Sequence, residues 1–235
     1  MSVAIVMPYY NEKELLLKAL PAILKQTYTD WHLFLVDDGS SYTNRASQVL
    51  DYLNVDTKKV TYVYKSNGGV STARNLALKL IKDCDPYQYV AYCDGDDVWD
   101  IDYLEGQMRI LSEGYDMVYS AVRHHFVDGS TAIPYGIANY PEYPGLQTLL
   151  KGNFIFVSGV VHRCDCLSVG EFDGSVNGIE DWDFWCRIAE ANYKLTKNNK
   201  IALTYICKPN GNGSKGNKQV YDKFYLKHGK YMVNA

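Results

Sequence analysis

Tyr89-Val90-Ala91-Tyr92-Cys93-Asp94-Gly95-Asp96-Asp97 is an apolar run that breaks into three carboxylates within four positions. A short apolar run bounded by turn formers reads as a buried strand, and the aspartates and glycine after it as the loop beyond its carboxyl end. The same pattern occurs three times upstream. Val3 to Met7 ends at Pro8 and leads into Tyr9-Tyr10-Asn11, His32 to Val36 ends in Asp37-Asp38-Gly39-Ser40, and Val60 to Tyr64 is followed by Asn67-Gly68-Gly69. Helical spacing fills the gaps. Leu15, Leu16, Ala19, Leu20, Ile23 and Leu24 form an apolar stripe over Glu12 to Gln26, with Pro21 expected to interrupt or kink it, and Ser41 to Leu53 and Val70 to Ile81 also read as helices.

Strand and helix therefore alternate through the first hundred residues, which implies an α/β fold with parallel strands covered on both faces. In such sheets ligands bind beyond the carboxyl ends of the strands. The polar clusters all fall there: Tyr10 and Asn11 after the first strand, Asp37 and Asp38 after the second, Asn67 near the third and Asp94 to Asp97 after the fourth. One rim is expected to collect them.

Beyond residue 116 the pattern is less regular. Met117 to Val127 and Phe154 to His162 read as strands, with a turn at Asp128-Gly129 and a stretch rich in Pro, Gly and Tyr from Pro134 to Gly145. Glu180 to Ala191 reads as a helix entered by acidic residues, Ile201 to Cys207 as a last strand, Lys208 to Lys218 as a mobile loop and Gln219 to Met232 as a helix. The expected organisation is one domain over residues 1–207 in two halves, 1–116 and 117–207, followed by a loop and helix over 208–235. The ending after that helix suggests one domain of a longer chain.

Composition narrows the classes. A chain of 235 residues with 47% hydrophobic and 22% charged residues has the make-up of a globular protein with one substantial core. A net charge of −3 with scattered Lys and Arg gives no footprint for a nucleic-acid backbone. No apolar run is long enough to span a membrane, and there is no signal-peptide pattern. Six cysteines without a Cys-x-x-Cys pair read as reduced thiols of a cytoplasmic protein, and Cys164-Asp165-Cys166 lacks partners for a four-ligand zinc site.

Like charges as close as Asp94, Asp96 and Asp97 favour a compensating cation. Carboxylate oxygens suit Mg²⁺ or Mn²⁺, which commonly share their shell with substrate phosphates. The alternative is an Asp-rich turn that caps the next helix, and Asp37-Asp38-Gly39-Ser40 has the same alternative. Two such turns on one rim favour the ligand reading.

With Val6-Met7-Pro8-Tyr9-Tyr10-Asn11-Glu12, Val36-Asp37-Asp38-Gly39-Ser40, Asn67-Gly68-Gly69-Val70-Ser71-Thr72-Ala73-Arg74-Asn75, Asp94-Gly95-Asp96-Asp97 and Glu180-Asp181-Trp182-Asp183-Phe184-Trp185 in this order, the chain resembles the family-2 inverting glycosyltransferases of the GT-A fold. The resemblance covers residues 3 to about 190. It implies a mostly parallel nucleotide-diphospho-sugar transferase sheet flanked by helices, with a small mixed sheet on the acceptor side. It also implies transfer of a sugar from a UDP-sugar, less favourably a GDP-sugar, to a hydroxyl on a glycan, glycolipid or glycoprotein, with inversion and with Mn²⁺ or Mg²⁺ as cofactor.

Carried onto this sequence, the resemblance places Pro8, Tyr10, Asn11, Asp37, Asp38 and Asn67 at the nucleotide, with Asp38 hydrogen-bonding the base and Asp37 supporting it. Asp94 lies near the ribose or donor sugar, Asp96 on the metal, and Arg74 beside the donor as positive charge. Asp181 takes the position of the catalytic base, in a setting where burial beside Trp182 and Trp185 raises its pKa. Glu180 ranks as its substitute. Glu180, Trp182, Lys208 and Ser214 are candidates for acceptor contact or a lid, and a peripheral position at a membrane is compatible with such acceptors. Competing readings are a nucleotidyltransferase, against which the missing Gly-rich basic loop after the first strand argues, and a nucleotide- or carbohydrate-binding module without turnover.

Overall fold

A computed structural model describes residues 1–84, 86–126, 131–132, 141–207 and 217–229. The four apolar runs form β1 (Val3–Tyr9), β2 (Trp31–Asp37), β3 (Val60–Tyr64) and β4 (Tyr89–Tyr92), parallel and side by side in the order β3-β2-β1-β4. Between them lie α1 (Lys13–Leu24), α2 (Ala46–Tyr52) and α3 (Val70–Cys84). Every residue of β1 is buried, and the two-residue period of the strand divides it between two cores. Ala4 and Val6 join Ala73, Ala77 and Leu78 of α3, whereas Ile5 and Met7 join Leu16, Leu20 and Ile23 of α1.

Two expectations about proline are corrected. The strand runs through Pro8, because the carbonyls of Val6 and Pro8 face β4 and accept from Cys93 N–H (3.0 Å) and Gly95 N–H (3.2 Å), past the end of the β1–β4 register at Tyr92. The missing Pro8 N–H thus faces a flank where the ladder has already ended. Pro21 sits inside an unbroken α1, where burial of Leu16, Ala19, Leu20 and Ile23 outweighs one lost hydrogen bond.

The sheet continues into a mixed half. β8 (Val160–Arg163) pairs antiparallel with β4, β6 (Met117–Phe126) antiparallel with β8, and β9 (Leu195–Cys207) parallel with β6. β5 (Val98–Trp99) closes the edge against β9, giving β3-β2-β1-β4-β8-β6-β9-β5, with β7 (Thr131–Ala132) on β6. α4 (Tyr103–Leu111), α5 (Leu146–Leu149), α6 (Glu180–Glu190) and α7 (Lys218–His228) complete the elements that matter below.

Several boundaries differ from expectation. Residues 42–44 form a 3-10 turn before α2, and the expected strand over Phe154 to His162 is a strand only from Val160, after a 3-10 turn at Val157–Gly159. That turn is locked by Trp99 Nε1 donating to Ser158 O (2.7 Å) and Gln107 Nε2 to Gly159 O (3.1 Å). β9 starts six residues earlier than expected, and its polar run is satisfied internally: Asn198 is buried and donates to Gln107 Oε1 at 3.0 Å. α4 was not expected, although Leu104, Gln107, Met108 and Leu111 follow helical spacing and are all buried. The expected turn at Asp128-Gly129 and the loop containing Lys208 and Ser214 lie outside the described residues.

Candidate active site

The exits of β2 and β4 are both stitched to β1: Asp38 N–H donates to Tyr9 O at 2.8 Å and Gly95 N–H to Pro8 O. Asp38 and the Asp94–Asp97 loop therefore lie on the same sheet edge, on either side of Tyr9 and Tyr10. Gly95 is needed for this approach, since a Cβ there would stand 3.2 Å from Pro8 O and from the Tyr9 ring.

On the β2 side, Asp37 is fully buried and organises backbone. Its Oδ1 accepts from Ser40 N–H and its Oδ2 from Ala46 N–H at the start of α2, each at 2.9 Å. Asp37 supports the loop and touches no open surface. Asp38 is held by Lys65 Nζ (2.5 Å), Gly68 N–H (3.0 Å), Gly69 N–H (2.8 Å) and Asn67 Nδ2 (3.2 Å). Asn67 is accordingly bound to Asp38. Gly39 takes φ +83 beneath this turn, where a Cβ would meet Asn67 N at 2.6 Å. Asn11, at φ +56, ties the β1 exit to the β2 exit by accepting from Ser41 N–H at 2.8 Å. Tyr10 is half exposed above them, while Pro8 is buried in the sheet and offers no ring face to a base.

On the β4 side, carboxylate oxygens of Asp94, Asp96 and Asp97 lie within 4.8 Å of one another. Ser158 braces the loop, its Oγ accepting from Asp94 N–H (2.9 Å) and its hydroxyl donating to Asp97. Asp97 is buried, its Oδ1 has no hydrogen-bond partner, and burial followed by the charges of Asp96 and Asp94 holds its pKa well above the ordinary carboxylate range. An orphaned buried oxygen in an all-oxygen cluster fits a hard divalent cation. The sequence reading assigned the metal to Asp96 alone; the geometry sets Asp97 and Asp94 beside it.

Arg74 corrects its expectation. It is buried, chelates both oxygens of Asp94 through Nη2 (2.9 and 2.8 Å) and donates through Nη1 to Glu180 Oε1 (2.9 Å), with its guanidinium 5.3 Å from the Phe172 ring centre. Its charge is committed to two carboxylates and is not free for a donor. Asp94 nonetheless has a raised pKa, because burial outweighs the Arg74 contact.

This bridge leads to the first turn of α6. Asp181 accepts from Asn153 Nδ2 (3.3 Å to each oxygen) and Trp182 N–H (2.7 Å), and burial, then the neighbouring Glu180 charge, push its pKa up to about 7 against the pull of Arg74. Glu180 is no substitute base, since Arg74 holds one oxygen and Gly178 N–H (2.6 Å) the other. Trp182, a candidate for acceptor contact, and Trp185 both pack in the core. Trp182 is buried, donates to Leu149 O (2.7 Å) and stacks on Phe224 at 4.1 Å, and Trp185 is fully buried. Lys65, Asn153 and Ser158 escaped the sequence reading. Lys65 follows directly on β3 and the rim rule would have found it, but Asn153 and Ser158 carry no local signal.

A parallel sheet with an acidic cluster on its carboxyl rim, continued into a mixed half that supplies an isolated carboxylate, defines a GT-A glycosyltransferase. The chain belongs to glycosyl transferase family 2, whose model matches residues 4–163. This removes the nucleotidyltransferase reading and makes the protein a glycosyltransferase enzyme. It is 35% identical over 191 residues to the Escherichia coli UDP-Glc:alpha-D-GlcNAc-diphosphoundecaprenol beta-1,3-glucosyltransferase WfgD, covering 81% of this chain and 70% of that one. It is 24% identical to the putative colanic acid biosynthesis glycosyl transferase WcaA of E. coli K12, over 79% of this chain and 65% of the relative. Among solved structures, S. aureus TarS 1-349 in complex with UDP-GlcNAc matches with a TM-score of 0.78 at 18% identity, over 100% of this chain and 67% of that chain. The mannosyltransferase PcManGT from Pyrobaculum calidifontis, in complex with GDP-Man and Mn²⁺, matches at 0.70 and 18%, over 89% and 58%. These two likenesses establish the fold.

Proposed function

We propose that the protein transfers a sugar from a UDP-sugar to a hydroxyl of a lipid-linked saccharide, with inversion, using Asp181 as the base. The observation that carries this reading is the isolated, half-buried Asp181, whose pKa of about 7 suits proton removal at neutral pH, joined through Glu180, Arg74 and Asp94 to the acidic cluster.

The acceptor oxygen bonds to the anomeric carbon as the bond from that carbon to the diphosphate oxygen breaks. The electron pair of the broken bond leaves with UDP, and the acceptor proton passes to a carboxylate oxygen of Asp181. Attack from the face opposite the leaving group inverts the centre. Asn153 orients Asp181, and the Glu180–Arg74 pair holds its turn against the Asp94 loop. Asp94, Asp96 and Asp97 would hold Mn²⁺ or Mg²⁺, which when bound offsets the charge of the diphosphate.

Tyr10 supplies the exposed aromatic face for the base, with Asp38, Asn67 and Lys65 beside it. Uracil is preferred because the relative WfgD is named for UDP-Glc and TarS is seen with UDP-GlcNAc; guanine, as in the PcManGT complex, ranks second. A glycolipid acceptor follows WfgD, with glycan and glycoprotein acceptors behind it. A peripheral station at a membrane fits such an acceptor, and no helix of the described residues is long and apolar enough to cross one. The test is UDP release from UDP-glucose, UDP-N-acetylglucosamine and GDP-mannose with Mn²⁺, with and without a short-chain N-acetylglucosaminyl diphospholipid. Acceptor-stimulated release from a UDP-sugar, with a product of inverted anomeric configuration, supports the reading. Retention of configuration sinks it.

A further inference from the structure

The first turn of α6 is pinned on both flanks of Asp181. Upstream, Glu180 is tied to Arg74 and through it to Asp94. Downstream, Trp182 and Asp183 face α7. Trp182 stacks on Phe224 with ring centres 4.1 Å apart, and Asp183, fully buried, accepts from Lys227 Nζ (2.7 Å), His228 Nε2 (3.0 Å) and Arg187 Nε (2.9 Å). Lys227 also reaches Asp173 at 3.1 Å, so α7 grips the turn that precedes α6 as well. Among the described residues, Asp181 is the only acidic side chain of that first turn without a cation at ion-pair distance.

Phe224 and His228 are buried, Val220 and Tyr221 pack partly buried against the core, and Tyr225 and Leu226 are 42% and 86% exposed. The polar and aromatic contacts of α7 concentrate on residues 173–176 and on Trp182 and Asp183, the two residues that follow Asp181. A buried ion cluster is a weak source of stability but a strict selector of one geometry. The basic end of α7 meeting the acidic start of α6 also satisfies both helix dipoles.

We propose that α7 is the positioning element for Asp181: docking of Phe224, Lys227 and His228 on Trp182 and Asp183 sets the direction and solvent exposure of the carboxylate that precedes them. This rests on the reading of Asp181 as the base. Displacement of a reacting group by about 1 Å can cost on the order of 10²-fold in rate, so loss of the clamp is expected in kcat before it is seen in donor binding.

The test compares Phe224→Ala, Phe224→Tyr, His228→Gln and Asp181→Asn in the full chain. The readouts are kcat and KM with UDP-glucose and UDP-N-acetylglucosamine plus Mn²⁺, UDP affinity by calorimetry, the pH profile of kcat, and amide exchange over α6 and α7. Phe224→Ala should lower kcat about 30-fold or more, within the range for a misplaced group. UDP affinity should stay within about two-fold, exchange should rise at residues 181–184, and the acid limb of the profile should move to lower pH as water reaches Asp181. Phe224→Tyr, which keeps the ring but puts a hydroxyl into a fully buried site, should recover part of the rate, as should His228→Gln, which keeps a donor. If exchange over α7 rises in Phe224→Ala while kcat stays near wild type, α7 is only a structural cap and the proposal fails. If kcat and UDP affinity fall together, the effect is general loosening and the proposal also fails. Asp181→Asn separates the two claims: full activity there removes the base reading and the positioning role together, whereas an inactive Asp181→Asn beside a fully active Phe224→Ala removes the positioning role alone.

Discussion

Asp181 and Asp97 are both carboxyl groups raised by burial, and the difference between them lies in their neighbours. Asp181 has an amide and a backbone N–H, which leave it able to take a proton, whereas Asp97 has two other carboxylates and an orphaned oxygen, which call for a cation. A base must be ionised to act, so kcat/KM, which follows the unliganded enzyme, should rise with pH through about 7 and level off above it, and Asp181→Asn should remove that limb while lowering kcat about 10²- to 10⁴-fold. UDP calorimetry on the same variant should show near-native affinity. For Asp97→Asn the loss should fall on the cation instead, as a higher Mn²⁺ concentration for half-maximal activity in a metal titration. Asp97 was legible in the sequence as one of three carboxylates crowded after an apolar run, and Asp181 through the family resemblance. Their partners were not, since Asn153 meets Asp181 across 28 residues of chain and Ser158 meets the Asp94–Asp97 loop, at Asp94, across 64.

Among elements, α3 and α6 are tied by the Asp94–Arg74–Glu180 bridge, and α6 and α7 by Asp183. Removing one partner of a buried pair leaves charge uncompensated, so Arg74→Met should destabilise the fold by about 3–5 kcal/mol, read from urea unfolding. Asp183 is the converse case. The His228 and Lys227 hydrogen bonds offset its burial and bring its pKa down to about 2, so its contribution is present above the ordinary Asp value and is lost as pH falls from about 4 to 2. Amide protection of α7 should decline over that interval. Strands β1, β2 and β4 were legible as elements because they are largely apolar runs, and β3 because it is β-branched and aromatic. α4 and the early part of β9 were not legible, the first because Gly106 interrupts a short apolar stripe and the second because Lys197 to Lys200 read as polar loop until Gln107 is seen to satisfy Asn198.

At the scale of the whole molecule, two apolar cores sandwich one sheet, and a histidine is sealed into one of the interior layers. His162 accepts from Tyr92 OH (2.9 Å) through Nε2, its Nδ1–H donates to Arg163 O (2.7 Å), and burial lowers its pKa to about 4. The unfolded chain binds that proton at a higher pH, so stability should fall as pH drops from about 6.5 to 4, by up to roughly 3 kcal/mol. His162→Gln should flatten that part of a melting-temperature profile. Ligand linkage acts on the same scale. UDP with Mn²⁺ at a hundred times its Kd should add about 2.7 kcal/mol, a rise in Tm of about 5–10 °C, and UDP alone distinctly less.

The sequence alone determined the alternation of strands and helices and the side of the sheet on which the polar clusters gather, because short-range period and turn chemistry are properties of neighbouring residues; the family showed through the resemblance of five short motifs in order. Only the tertiary structure decided which members of those clusters are open to chemistry and which are consumed in holding the rim. Arg74, Glu180 and Trp182 looked like contacts for donor or acceptor in sequence and are braces in space, as Asp37 was expected to be. Whether a polar group is free depends on what a distant segment presents to it, and that partner is chosen by packing, which no local pattern records.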